Sequence, residues 1–285
     1  MIGEPPIPID EQLSVEEGIA VLKGPLGEYE LGIANQYCCP LAWRESKGNG
    51  PIMNRNGTAF FLDTGERIFG VTAAHVFAGY LDSDADRKGP LTLTSNGKSV
   101  ELDSATCVID SDPEIDIATF AITEDEIKGL DRWKLTGGQK TWPPGLPAIR
   151  CGVTYCGFPA IGTREEPGFL SYGALRASGI ATQVSQTIIS SQMERDFLIA
   201  STAAERGLPP DNFDFGGISG GPMLTLVQHR GMRYWMLAGV NYQGPSTIND
   251  PNQSIAGLEV IRARPAHFIL SDGRLDRDCW AQLNW

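Results

Sequence analysis

The chain has 285 residues, 41% hydrophobic and 20% charged, which is enough apolar material for a packed core and argues against wholesale disorder. With 35 Asp and Glu against 23 Lys and Arg, the formal net charge is −12. An acidic chain lacks the broad basic footprint of a nucleic-acid binder, so no nucleic-acid partner is expected. No apolar run approaches the roughly 18 residues of a membrane span. The start, Met1 to Pro6, has neither the basic nor the apolar region of a secretory signal, so the expectation is a cytoplasmic protein with no membrane partner.

Residues 1–16 are proline-rich and acidic, and Gly18 to Leu22 reads as a short strand. Residues 1–50 are expected to form an N-terminal extension of unassigned role, and Arg44 to Asn56 an exposed polar loop. From Gly57 the texture changes to short apolar runs. Thr58–Leu62 and Arg67–Thr72, separated by Asp63-Thr64-Gly65-Glu66, predict a hairpin. Strands at 91–95, 99–109 and 117–122 complete a first unit over 51–140, and the Gly/Pro-rich stretch 137–147 is placed as a linker. A second unit over 141–262 is predicted from runs at 149–157, 173–184, 186–190, 197–201, 222–228, 233–243 and 254–261. Within it, His229-Arg230-Gly231-Met232 joins another hairpin. Helical periodicity is confined to a turn after Ala74, to 124–130 and to 262–270, giving a short C-terminal helix and tail over 263–285. With 33 Gly and 19 Pro supplying turns, many short strands predict an all-β sandwich or barrel rather than βαβ units.

Three segments carry chemistry. Val71-Thr72-Ala73-Ala74-His75-Val76 puts a histidine at the end of an apolar strand. Asp112-Pro113-Glu114-Ile115-Asp116-Ile117-Ala118 puts an acid at the start of another, and Gly216-Gly217-Ile218-Ser219-Gly220-Gly221-Pro222 brackets a serine with glycines. Each alone is an ordinary structural feature. Together they fall in the order His, Asp, Ser at spacings of 41 and 103 residues. A serine hydroxyl is a weak nucleophile until a base takes its proton, and imidazole suits that task near neutral pH. A carboxylate fixes the imidazole tautomer, and glycines let backbone N–H groups converge on a developing oxyanion.

Thr72-Ala73-Ala74-His75, Asp116-Ile117-Ala118 and Gly217-Ile218-Ser219-Gly220-Gly221-Pro222 resemble the three motif segments of the chymotrypsin/trypsin-like serine peptidases. The resemblance spans roughly residues 55–262, and Cys156-Gly157-Phe158-Pro159 is similar to a segment common in bacterial members. It implies two antiparallel six-stranded β-barrels, a peptide or protein substrate, acyl-enzyme chemistry and no cofactor or metal. It assigns Ser219 as nucleophile, His75 as general base and Asp116 as orienting acid, ahead of Asp110 and Asp112. Gly217 and Ser219 would supply the oxyanion-hole N–H groups.

The departures are informative. Disulfide-bearing members keep cysteines where this chain has Val76 and Phe215. The six cysteines, 38, 39, 107, 151, 156 and 279, therefore read as unpaired thiols, and none has zinc-type spacing from the three histidines. Zymogen-type members carry an Asp where Ile218 stands, so that activation switch has no counterpart here. At the base of the primary pocket the resemblance puts Phe213, with Asp214 beside it, and Tyr242, Gln243 and Gly244 along its wall, so trypsin-like recognition of Lys or Arg is not implied. Two rivals remain: a non-cutting peptide-binding module of the same fold, and an α/β-hydrolase-type esterase using Gly217-Ile218-Ser219-Gly220-Gly221 with Asp250 and His267.

Overall fold

The apolar runs that begin near Gly57 do form strands, and they assemble into two antiparallel units. The computed structural model describes residues 24–25, 29, 32–46, 52–83, 88–137, 142–167, 169–193, 215–229, 232–244 and 259–283. The first unit contains β1 (Cys38–Ser46), β2 (Ile52–Asp63), β3 (Ile68–Thr72), β4 (Leu91–Ser95), β5 (Lys98–Leu102), β6 (Val108–Asp112) and β7 (Ile117–Phe120). Its strand order is β5-β4-β1-β2-β3-β7-β6, and β8 (Leu135–Thr136) adds a short parallel pairing to β2. The predicted hairpin is β2–β3, with Asp63 opposite Ile68.

The second unit contains β9 (Gly152–Gly157), β12 (Leu175–Val184), β13 (Ile189–Met193), β14 (Pro222–His229), β15 (Met232–Gln243) and β16 (Glu259–Pro265). These six close into a barrel in the order β12-β13-β16-β15-β14-β9, which leaves no free edge. A separate hairpin, β10 (Thr163–Glu166) and β11 (Phe169–Tyr172), lies between β9 and β12 in sequence. The all-β expectation of two antiparallel units holds, with one difference: the first unit is an open sheet, and the six-strand closure belongs to the second alone.

Alternation along the strands sorts side chains into two cores. On β2, Phe60 and Leu62 face the second barrel, packing in one cluster with Cys156, Phe158, Leu224 and Val240, while Ala59 and Phe61 face the interior of the first sheet with Leu41 and Trp43. The pleat thus joins the two units along an apolar seam, and the motif segments lie at its rim.

Several boundaries differ from the sequence reading. Cys38–Ser46, expected in the extension and partly in an exposed loop, is β1, paired over its full length with β2 from Cys38 opposite Phe60 to Ser46 opposite Ile52. Its first six residues are buried, so it shows a continuous apolar run with a proline in it rather than polar alternation. The single strand at 99–109 is two, because Asp103 turns the chain by accepting from Ala105 N and Thr106 Oγ1. The helix expected at 262–270 is the end of β16 followed by a 3-10 turn at Ala266–Phe268. The C-terminal helix lies further on, at Arg277–Leu283. Predicted strands at 18–22 and 197–201 lie outside the described residues.

The C-terminal segment returns to the first sheet. Thr64 Oγ1 donates to the Ser271 carbonyl at 2.6 Å, Thr119 Oγ1 to the Gly273 carbonyl at 2.5 Å, and Arg277 pairs with Asp110 at 2.7 Å and Asp112 at 2.8 Å.

Candidate active site

His75 is the second residue of helix α1 (Ala74–Leu81), which starts two residues after β3 ends. Val76, Phe77 and Tyr80 anchor the helix in the core of the first sheet, which leaves the His75 ring half exposed. Asp116 ends the tight turn between β6 and β7. The Asp112 carboxylate accepts from Glu114 N at 2.9 Å and Ile115 N at 3.0 Å, and Asp116 N donates to the Asp112 carbonyl at 2.8 Å. Closing the turn this way puts Asp116 at φ 58°, a left-handed conformation that Asp tolerates better than most residues.

That turn aims the carboxylate at the histidine. Asp116 Oδ1 accepts from His75 N at 3.0 Å, and His75 Nδ1 lies 3.0 Å from Oδ1 and 2.9 Å from Oδ2. A proton held on Nδ1 by the carboxylate leaves the lone pair on Nε2, which is the tautomer a general base requires. Asp110 and Asp112, the rival acids, are instead tied to Arg277.

The serine loop has alternating uses for its N–H groups. Ile218 N donates to Phe215 O at 3.1 Å, Gly220 N to Asn241 O at 2.7 Å and Gly221 N to Ile218 O at 3.1 Å. Among the described residues no backbone bond is made by the N–H of Gly217 or Ser219, the two predicted oxyanion donors. Gly217 and Gly220 have φ of 105° and 89°. A Cβ on Gly220 would strike the Thr58 carbonyl and stand 2.9 Å from Ala73 N, so the serine loop presses directly on the segment that carries His75. Ser219 Oγ donates to the Tyr242 carbonyl at 3.3 Å, and among the described residues it makes no hydrogen bond to His75.

Of the predicted pocket residues, Tyr242 is half-buried and its phenol is pushed up, by burial first. Gln243 Oε1 accepts from Arg262 Nη1 at 2.8 Å. Gly244 lies against Phe215 and Ile218, where a Cβ would come within 3.0 Å of Phe215 Cβ and 2.9 Å of Ile218 Cδ1. Phe213 and Asp214 lie outside the described residues. Ile218 is buried in an apolar cluster with Phe215 and Met223, and Val76 is buried in the first core, so these departures from the family pattern are filled by packing.

The sequence reading missed two residues that hold the site together. Thr58 is wholly buried: its N–H donates to Ser219 O at 2.8 Å, its Oγ1 donates to Gly217 O at 2.7 Å, and that Oγ1 accepts from Phe158 N at 3.0 Å. Arg264, in β16, is also buried and reaches the Asp116 turn. A threonine in an apolar strand carries no special signal. An arginine in Glu259-Val260-Ile261-Arg262-Ala263-Arg264-Pro265 gives only the weak one of a charge within a strand.

The α/β-hydrolase elbow is not formed, because β14 follows Ser219 directly where that fold needs a helix. His267 sits in the 3-10 turn with its ring tilted at 44° against that of Phe268, 4.3 Å between ring centres, and its pKa is lowered by burial. Among the described residues no cluster of three or more His, Cys, Asp or Glu side chains could hold a metal ion, and no helix is long and apolar enough to cross a membrane.

No protein-family model and no curated protein sequence matches this chain. Among solved structures it is similar to the serine protease domain of the Sesbania mosaic virus polyprotein, at 14% identity and TM-score 0.41, over 81% of this chain and 95% of that one. It is also similar to a structure from work on coupled folding and binding of the intrinsically disordered VPg protein of the same virus, at 14% identity and TM-score 0.42, over 84% and 96% of the two chains.

Proposed function

We propose that this chain is a serine endopeptidase that cuts peptide bonds through an acyl-enzyme. The observation that carries the reading is the doubly bonded His75–Asp116 pair, with a glycine-bracketed serine loop packed on the segment that leads into His75 and, among the described residues, no backbone bond made by the Gly217 and Ser219 N–H groups. Ser219 Oγ turns from the Tyr242 carbonyl toward His75, and Nε2 takes its proton as Oγ adds to the scissile carbonyl carbon. The N–H groups of Gly217 and Ser219 hold the resulting oxyanion, and His75 returns the proton to the leaving amine as the C–N bond breaks. Water, deprotonated by the same imidazole, then hydrolyses the Ser219 ester. Asp116 stays ionised and stabilises the imidazolium. Limited processing of one or a few partner proteins in the cytoplasm is the role proposed for the chain.

The test is labelling with a fluorophosphonate, comparing the native chain with Ser219→Ala and His75→Ala. Labelling of the native chain that both substitutions abolish is the expected result, and a peptide-library cleavage profile then reads pocket preference. One observation favours a second reading, a peptide-binding module that does not cut: the Ser219 hydroxyl is held by a main-chain carbonyl rather than by His75. An unlabelled native chain that still binds peptides would establish that reading instead.

A further inference from the structure

Behind the Asp116 turn, β16 sends a guanidinium across from the second barrel to the first sheet. Arg264 is 7% exposed, and its Nε donates to the Ile115 carbonyl at 2.6 Å, Nη1 to the Thr187 carbonyl at 2.6 Å and Nη2 to the Glu114 carbonyl at 3.4 Å. Its Cζ lies 4.7 Å from the centre of the Tyr242 ring and 4.5 Å from that of Trp280. Removing a guanidinium from water costs several kcal/mol, and among the described residues no carboxylate forms an ion pair with it in return. A strut that only joined the sheet to the barrel could be apolar, so the charge calls for another explanation.

Its targets supply one. The carbonyl of Ile115 and the N–H of Asp116 belong to one peptide unit. Arg264 holds the oxygen at 2.6 Å, and the Asp112 carbonyl holds the N–H at 2.8 Å. Pinning both ends fixes the plane whose rotation would change φ of Asp116, the residue held at 58°. The direction of the Asp116 carboxylate, and hence its grip on the His75 ring, follows from that plane. On its other side the same guanidinium packs on Tyr242, whose carbonyl accepts from Ser219 Oγ. We propose that Arg264 is a positioning residue that holds the Asp116 carboxylate on His75 and seats the Tyr242 strand end beneath Ser219. This inference rests on the peptidase reading for its kinetic consequence, and on geometry alone for its structural one.

The experiment uses the full chain with Arg264→Met, which keeps aliphatic bulk between the two rings but has no donor, and Arg264→Lys, which keeps one cationic donor. Asp116→Asn is the reference for a lost pair. The primary readout is the downfield proton resonance of His75 Nδ1–H, which needs no substrate. It is expected in the native chain, lost or exchange-broadened in Arg264→Met as in Asp116→Asn, and at least partly retained in Arg264→Lys. Where peptide is cleaved, kcat in Arg264→Met is expected to fall roughly 10- to 100-fold, the scale of a misplaced catalytic group, with KM within about 3-fold. If Arg264→Met fails to fold by circular dichroism, Arg264→Leu, which also lacks a donor, replaces it under the same criteria.

A folded Arg264→Met whose resonance and kcat match the native chain overturns the proposal and leaves the peptidase reading intact. A native chain that shows no such resonance overturns it as well. A resonance that behaves as expected in a chain that no fluorophosphonate labels supports the positioning role and sinks the peptidase reading.

Discussion

Thr58 Oγ1 donates to the carbonyl of Gly217 at 2.7 Å across 159 residues of chain, binding the middle of the first sheet to the loop expected to form the oxyanion hole. The same oxygen accepts from Phe158 N at 3.0 Å, so one hydroxyl satisfies two main-chain groups of the second barrel. Turning the Gly217 carbonyl toward Thr58 also turns the next N–H, that of Ile218, back onto Phe215, and among the described residues those of Gly217 and Ser219 make no backbone bond. A buried threonine and the buried Ile218 side chain order this loop.

Thr58→Val, nearly the same shape, is therefore expected to cost about 1–3 kcal/mol of stability, because it strands a part-buried carbonyl and a buried N–H. Fluorophosphonate labelling is expected to slow about 10- to 100-fold as the loop loses its anchor. Thr58→Ser is expected to restore most of both. Urea midpoints and labelling rates for the three proteins check this. A Thr58→Val protein as fast as the native one would show that the loop is held by other contacts.

Asp116→Asn is expected to lower kcat on the order of 10⁴-fold with little change in KM, since an amide can hand an N–H to the imidazole and stabilise the wrong tautomer. The backbone bond from His75 N to Oδ1 can survive in Asn, so the fold should be kept. Thermal unfolding within a few degrees of the native chain, alongside the lost turnover, would separate a catalytic from a structural effect.

The candidate segments were legible because their pattern is local: a glycine run around Ser219, an acid opening β7, and a histidine after β3 each stand out in a few residues. Their supports were not. β1 hides because both its faces are buried, so it lacks alternation and even contains Pro40. Thr58 looks like any strand threonine until the fold brings Gly217 and Phe158 to it, and Arg264 becomes meaningful only when the Asp116 turn lies opposite. The C-terminal helix was displaced for a related reason: 262–270 has mixed periodicity, and pairing with β13 and β15 decides it in favour of strand. Long-range partners overrode local pattern at each of these places.

Arg277 fastens the C-terminal helix to the acid turn by a bidentate contact with Asp110 at 2.7 and 2.9 Å and a further contact with Asp112. Hydrogen bonding from Arg277 holds the Asp110 carboxyl below its ordinary value, against an opposing push from burial. A carboxyl depressed in the folded state binds protons more readily when unfolded. Its stabilisation is thus complete above the ordinary value of about 3.9 and is lost as pH falls through the lower folded value. Because the Arg277 side chain is 48% exposed, water screens the pair, and Arg277→Met is expected to cost only about 1 kcal/mol at pH 7. The gap between native and variant urea midpoints should narrow as pH drops below about 4. A gap that stays constant to pH 2.5 would assign the loss to packing rather than charge.

The six cysteines are all free, and their settings predict how they react. Burial pushes the Cys39 thiol up to about 12 and the Cys107 thiol up to about 11. Burial also raises Cys38, whose neighbour Cys156 is itself buried in the seam between the two units. The thiolate is the reactive form, so at pH 8 a thiol at about 12 is ionised to only about one part in 10⁴, before access is considered. Cys151 and Cys279 are the half-buried members of the set, and burial raises the Cys279 thiol as well. Ellman's reagent at pH 8 is expected to titrate at most these two thiols in the folded chain within minutes, and all six in 6 M guanidinium. Mass mapping of the early adducts should find Cys151 ahead of Cys39. Rapid reaction at Cys38 or Cys156 would mean that the seam between the sheet and the barrel opens readily, and the candidate site at its rim would open too.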